Sequence, residues 1–200
     1  MSSNLKQVDL SSPGFPPYAW PKFAVPSSIL TERLLLRPVT VADVNERYVG
    51  WLADPAVNRF FETRQQTASQ IKEYVLQREP GELWAICWRG GWDEHGRISH
   101  IGNIRLWKPL PRHPLGEISI FIGERDYRSR GLATEAIKTI CEYGITAGFK
   151  KIGASMYEGH WASMHAFRKA GFQLEGIRKQ HRWFEGKMTD LYEMGLCLTN

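Results

Sequence analysis

The segment from Glu117 to Gly148 constrains the fold more than any other. Glu117–Ile122 is β-branched and apolar, the composition of a strand. Further on, Leu132, Ala136, Ile137, Ile140, Cys141, Gly144 and Ala147 recur at spacings of three and four. They predict a helix over 132–148 that ends at Gly148, where a left-handed closing residue belongs. Between the two runs lies the short basic turn Tyr127-Arg-Ser-Arg-Gly-Leu-Ala-Thr-Glu135. A helix with one apolar stripe needs a surface to lie on, and the preceding strand supplies it. The chain is therefore read as α/β.

The rest of the chain fits one mixed domain over 29–200, and its 200 residues suffice for a core without staples. Glu32–Pro38 reads as a first strand. Thr40-Val-Ala-Asp43 is expected to start a helix through Val44, Tyr48, Trp51 and Leu52 that ends at Asp54-Pro55. A second helix is expected over Thr67–Arg78, and strands over Leu83–Trp88, His100–Trp107 and Glu117–Ile122 form a meander about a Gly90–Gly96 turn. After the long helix come a strand at Lys151–Tyr157, a short helix at Ser163–Ala170, a strand at Phe172–Ile177, and a hairpin about Glu185-Gly186-Lys187. Residues 1–28 stand apart: five prolines fix too many φ angles for any regular period. Phe15, Tyr18, Trp20 and Phe23 leave open whether this arm floats free or packs on the domain.

Composition excludes several classes. A net charge of +5 suits an anionic ligand but lacks the concentrated basic stripe of a nucleic-acid binder. The cluster Arg178–Arg182 reads as a solvated strand end. Cys87, Cys141 and Cys197 lack metal-site spacing and fit reduced thiols in a cytoplasmic protein, with Cys141 in the core. His160 and His165, five apart, do not share a helix face, and no metal is expected. No signal pattern or membrane-length apolar run occurs, so no membrane partner is expected. Eight tryptophans are many for this length, and several are expected to line a pocket.

The turn carries the chemistry. A helix N-terminus offers unpaired amides and partial positive charge, which suit a pyrophosphate. Gly131 lets the backbone approach closely, Ala133 leaves the helix start uncrowded, and Arg128 and Arg130 add charge for the anion. Neither a G-x-G-x-x-G fingerprint nor a P-loop glycine is found in place.

Here the residues resemble the GCN5-related N-acetyltransferase (GNAT) superfamily. Arg128-x-x-Gly131-x-Ala133 matches its coenzyme signature between a strand and a helix. His160-x-x-Ser163 and Lys169-x-Gly171-Phe172 stand where the ribosomal-protein-alanine acetyltransferase-like branch carries Asn-x-x-Ser and Lys-x-Gly-Phe. Glu175-Gly176, Phe184-x-Gly186-Lys187 and Asp190-x-Tyr192 also look like that branch. The resemblance implies a mixed central sheet splayed around acetyl-CoA, with flanking helices. Ile120, Phe121 and Ile122 would face the pantetheine arm. Arg128, Ser129, Arg130, Gly131, Leu132, Ala133 and Thr134 would hold the pyrophosphate, and His160 and Ser163 would touch the coenzyme. It implies direct attack of a neutral amine on the thioester, with Glu117 as base and Ser163 as acid or sulfur hydrogen-bond donor. Ser163 equally reads as a helix N-cap. Two departures stand out: His160 replaces the motif asparagine, and Phe167 occupies a position where many relatives carry a catalytic tyrosine.

The run Tyr48-x-x-Trp51-Leu52-x-x-Pro55-x-Val57-Asn58-Arg59-Phe60 resembles acetyltransferases acting on amino-sugar nucleotides and related small amines. On that resemblance Trp51, Arg59, Phe60 and Glu62 would contact the acceptor under the first two helices. A peptide or ribosomal-protein N-terminus is the alternative acceptor, and a non-catalytic CoA-sensing domain is the rival class. Related domains often pair, which makes a homodimer the accompanying expectation.

Overall fold

The computed structural model describes residues 19–92 and 98–198. These form an eight-stranded mixed sheet in the order β1-β2-β3-β4-β5-β6-β8-β7. The strands are β1 (Ile29–Leu30), β2 (Leu34–Pro38), β3 (Leu83–Trp92), β4 (Ile98–Trp107), β5 (Leu115–Ile122), β6 (Lys151–Tyr157), β7 (Gln173–Phe184) and β8 (Lys187–Cys197). The helices are α1 (Glu46–Ala53), α2 (Pro55–Asn58), α3 (Ala68–Leu76), α4 (Leu132–Thr146) and α5 (Trp161–Lys169). Every neighbouring pair is antiparallel except β5 and β6. No helix among the described residues is long and apolar enough to cross a membrane.

The parallel pair sets up everything that follows. It joins only Leu115–Glu117 to Lys151–Gly153. Beyond Glu117, β5 stays bonded to β4 as far as Ile122, while β6 stays bonded to β8 as far as Tyr157. The sheet forks there, and the β6-facing edge of Ile118–Ile122 is left without a ladder.

Alternation along β5 divides the core. Ile118 joins a cluster with α4 (Leu132, Ala136, Ile137, Ile140) and with Phe167 of α5. Phe121, of opposite parity, joins α1 and α3 through Tyr48, Trp51, Leu52, Ile71 and Val75. Gly148 is left-handed at φ +92° just past α4, as a closing glycine should be.

The helix expected from Thr40 is two pieces. Val41–Asp43 is a single 3₁₀ turn, because Asp43 is held by the Arg37 guanidinium and by the Thr40 amide. Asn45 then starts α1 afresh, its side chain accepting from the Tyr48 amide. The strand expected over Phe172–Ile177 runs on to Phe184 through an irregularity between Arg178 and Arg182. The hairpin at 185–187 is as expected, with Glu185 and Gly186 both at positive φ, the two-residue turn that matches strand twist. The described part of the arm packs on the domain. Trp20 meets Phe149 edge-on at 4.9 Å and donates to the Pro111 carbonyl, and Phe23 meets Tyr143 at 5.3 Å. Phe15, Tyr18 and most of the expected Gly90–Gly96 turn lie outside the described residues.

Candidate active site

The turn after β5 is shaped by two positive φ angles, Ser129 at +59° and Gly131 at +78°, the latter capping α4. The first amides of α4 have no partner within the helix and point at the fork. Glu135, the acid in that first turn, is drawn aside: Thr31, the Arg33 amide and the Arg33 guanidinium all donate to its carboxylate. These bonds hold its pKa low, and the helix end keeps an uncompensated positive pole.

A cleft of about 600 Å³ opens along this turn, the unladdered part of β5 and the start of α5. Its walls include Ile120, Phe121, Ile122, Arg128, Ser129, Gly131, Leu132, Ala133, Thr134, His160 and Ser163, all but one of the residues expected to touch the coenzyme. The exception is Arg130, which is absent from the lining. Its guanidinium lies 5.5 Å over the Tyr127 ring and its carbonyl accepts from Arg33.

Arg128 lines the cleft in a role other than the expected one. Its guanidinium donates to the carbonyls of Ile122 (3.1 Å) and Gly123 (2.5 Å) and lies 3.7 Å from Asp54. It clamps the turn to the end of β5 while remaining on the cleft wall. Ser163 is the third residue of α5, and the N-cap is His160, so the capping reading of Ser163 falls. Phe167 is buried against Phe172 at 5.0 Å and belongs to the core.

Two further cavities meet the cleft. One, of about 310 Å³, lies between the last strands and holds Glu117, Phe60, Glu62, Ser155, Tyr157, His160, Arg178, Arg182 and Glu193. The other, of about 390 Å³, lies under α1 and α3 and holds Tyr48, Phe60, Phe61, Glu62, Tyr74, Asn103, Arg105, Ser119 and Phe121. Phe60 and Glu62 border both, so the two form one trough, and His160 separates its polar half from the cleft.

Glu117 sits at the fork, its pKa raised by burial and by the nearby Glu193 carboxylate. Glu193 is itself held by Ser155 (2.6 Å) and Arg178 (3.0 Å). Burial, with help from Arg59, pushes His160 down to about 4, so its imidazole is neutral near pH 7. The His160 ring stacks on Phe60 at 4.1 Å and 13°, and Phe60 stacks on Phe184. The Tyr157 hydroxyl donates to Glu62 (2.7 Å), and burial raises its pKa to about 12.

Of the expected acceptor residues, Phe60 and Glu62 line the trough; Trp51 and Arg59 do not. Trp51 is buried against Gly123, edge-on to His100, with its indole N–H on Glu124 (3.0 Å). Arg59 spends its guanidinium on Glu185 at the hairpin tip. The loop between α2 and α3, carrying Phe60–Glu62, roofs the trough together with α1 and α3. No tryptophan lines any of the three cavities among the described residues. Cys141 is core, its thiol pushed up to about 12 by burial. Sequence reasoning missed Tyr157, Glu193, Asn103 and Arg105. Once Glu117 is paired with Gly153, counting by twos along β6 reaches Ser155 and Tyr157, so that signal was present.

A forked parallel strand pair, a helix N-terminus beside the fork and a half-buried carboxylate at its base define a coenzyme-A-dependent acyltransferase. The profile of the acetyltransferase (GNAT) domain family matches residues 33–173. The chain belongs to that family and is an acetyl-CoA-dependent N-acetyltransferase. It is 29% identical to the uncharacterized N-acetyltransferase YoaA of Bacillus subtilis, over 80% of this chain and 90% of that protein. It is 28% identical to human alpha/beta-tubulin-N-acetyltransferase 9, over 72% of this chain and 74% of the relative. The fold matches a GNAT-family acetyltransferase from Bacillus anthracis with a TM-score of 0.73 at 21% identity, covering 85% of this chain and 98% of the other. A spermidine N-acetyltransferase from Vibrio cholerae, solved with CoA and spermine, matches at 0.65 and 17%, covering 84% and 96%.

Proposed function

We propose that this chain acetylates the primary amine of a small molecule lying in the trough, with Glu117 as the base that accepts the ammonium proton. The observation that carries the reading is the position of Glu117. It is the last residue paired across the fork, on the wall of the polar cavity that meets the coenzyme cleft at His160. Its raised pKa brings a carboxylate closer to the value a general base needs near neutral pH.

The residues of the cleft fit acetyl-CoA. The α4 amides with Glu135 turned away suit the pyrophosphate, and the free edge of β5 suits an amide-bearing arm. The coenzyme supplies an acyl group activated as a thioester. Ser163 and the neutral His160 offer hydrogen bonds from the start of α5, and Arg128 keeps the turn in register with β5. Of the residues named on the amino-sugar resemblance, Phe60 and Glu62 line the trough while Trp51 and Arg59 lie outside it, so the small-molecule reading rests on the trough itself.

A protein N-terminus is the second reading, favoured by the likeness to a tubulin acetyltransferase. The test is acetyl transfer to a panel of small amines and to peptides with free N-termini, by wild type and Glu117→Gln. Turnover of small amines that Glu117→Gln loses supports the proposal. Turnover of peptides alone transfers it to the second reading.

A further inference from the structure

The aromatic half of the trough contains two buried donors without a full hydrogen bond among the described residues. Asn103 is only 2% exposed; its Oδ1 lies 2.7 Å from His100 Nε2, and its Nδ2 has no hydrogen-bond partner among the described residues. The Tyr48 hydroxyl is close enough to that amide to feel it as a donor, yet outside full hydrogen-bond geometry. Arg105 Nε is likewise buried and unpartnered among the described residues. Both side chains line the same cavity, two residues apart on one face of β4. An unpaired buried donor is destabilising, more so when charged, and a ligand oxygen would relieve it.

Charge points the same way. Arg105 reaches Glu82 at 3.4 Å, but Arg78 reaches the same carboxylate at 3.9 Å. Two guanidiniums share one carboxylate, so one positive charge is left over. The other charged group on this cavity, Glu62, is engaged by Tyr157 and faces Arg182 at 3.7 Å. Rings from Tyr48, Phe60, Phe61, Tyr74 and Phe121 make up much of the wall between these ends.

We infer that the acceptor is an amine carrying a carboxylate on a short aromatic or apolar arm, with the carboxylate bound by Arg105 Nε and Asn103 Nδ2. The inference rests on the acetyltransferase reading above and adds the substrate class. The register gives the arm's length. Glu117 pairs with Trp107, and Arg105 with Ser119, so the base and Arg105 lie one strand and two residues apart. Strand spacing and rise put their Cα positions roughly 8 Å apart. One benzene ring between amine and carboxylate spans that gap.

The test compares 4-(aminomethyl)benzoate with its carboxamide and with benzylamine, by acetyl-transfer kinetics and by calorimetry in the presence of CoA. Wild type is expected to favour the carboxylate over both neutral amines by at least about tenfold in kcat/KM and in affinity. Arg105→Gln should bring that ratio close to one, with thermal unfolding as the check that the variant folds. Ser119→Asp keeps Arg105 and its packing but sets a fixed carboxylate opposite it on the cavity wall, and should abolish the preference as well. Turnover of benzylamine without carboxylate preference, or a preference that survives both variants, overturns the inference and leaves the acetyltransferase reading standing. Carboxylate-dependent binding without turnover of any amine supports the pocket and overturns the transfer reading. Absence of both overturns both.

Discussion

Arg128→Lys separates two roles that the sequence cannot distinguish. If Arg128 served the coenzyme as a charge, lysine would replace it with little loss. In the structure its guanidinium instead donates to two carbonyls at the end of β5, at 3.1 and 2.5 Å, with the side chain 27% exposed. A hydrogen bond from a charged group contributes about 1.5–3 kcal/mol. A lysine ammonium keeps at most one of the two, because it lacks the planar fork. The Asp54 contact, at 3.7 Å to an acid 45% exposed, adds little. The expected loss is therefore about 1.5–3 kcal/mol. At roughly 2–4 °C per kcal/mol for a chain of this size, Tm should fall by about 3–12 °C. Any part of the loss confined to the turn appears as weaker acetyl-CoA binding, at about tenfold per 1.4 kcal/mol. Thermal unfolding and acetyl-CoA calorimetry at two salt concentrations measure both. A lysine variant equal to wild type in each, beside an Arg128→Ala variant whose lost affinity depends on salt, would refute the clamp.

Four further outcomes are expected. Glu117→Gln should lower kcat by about 10²–10⁴. The folded-state pKa of Glu117 is raised, so its charged form opposes folding at neutral pH. The glutamine variant should thus be the more stable protein near pH 7, with the gap in Tm closing as pH falls below the glutamate's own value. His160 has the opposite dependence: its folded value is near 4 against about 6.5 unfolded, so its stability contribution is lost as pH falls from about 6.5 to 4. His160→Asn should flatten that part of the Tm–pH curve. Trp51→Ala should cost about 3–5 kcal/mol with little change in acceptor KM, read from denaturant unfolding and kinetics; a large KM effect in a stable variant would return Trp51 to the acceptor site. Phe167→Tyr should destabilise by about 1–3 kcal/mol, since a hydroxyl added in the core must be buried, and a rise in kcat would show the ring reaching the cleft.

What the sequence made legible was local or periodic. The α4 stripe, the strands of the meander and the two-residue hairpin are each written in spacings of two, three or four, and each was found. The place of the turn after β5 was legible because a glycine stands between a strand and a helix. Side-chain direction was not legible. Arg128 and Arg130 read as anion ligands from their charge, yet one folds back on β5 carbonyls and the other onto Tyr127, because those partners are reached only through the turn's two positive φ angles. Trp51 and Arg59 lie outside the trough for a related reason. Gly123 and Glu185, which take up their side chains, lie far away in sequence, and no pattern in 48–60 announces them. Asn103 and Arg105 stand on a strand that was read only as part of the meander, with no role given to its side chains.

The two departures from the family pattern bear on each other through the same junction. With Phe167 in the core, no hydroxyl comes from the second turn of α5, and the polar groups near the meeting of cleft and trough include His160, Ser163 and Tyr157. The Tyr157 proton is committed to Glu62, and a value near 12 makes it a poor acid at neutral pH. An imidazole titrating near 4 holds almost no proton to give at pH 7, although its neutral N–H still donates a hydrogen bond. Burial and the nearby Arg59 favour this state, and the ring, unlike an asparagine, extends the Phe60–Phe184 stack beside the trough. Among these groups, then, none is both protonated and acidic at neutral pH. On the function proposed above, Glu117 takes the proton, and the start of α5 acts on the coenzyme side through neutral hydrogen bonds and its helix pole. A single acidic limb in the pH–rate profile, set by Glu117 and displaced upward from the ordinary carboxylate range, is the kinetic form of that arrangement.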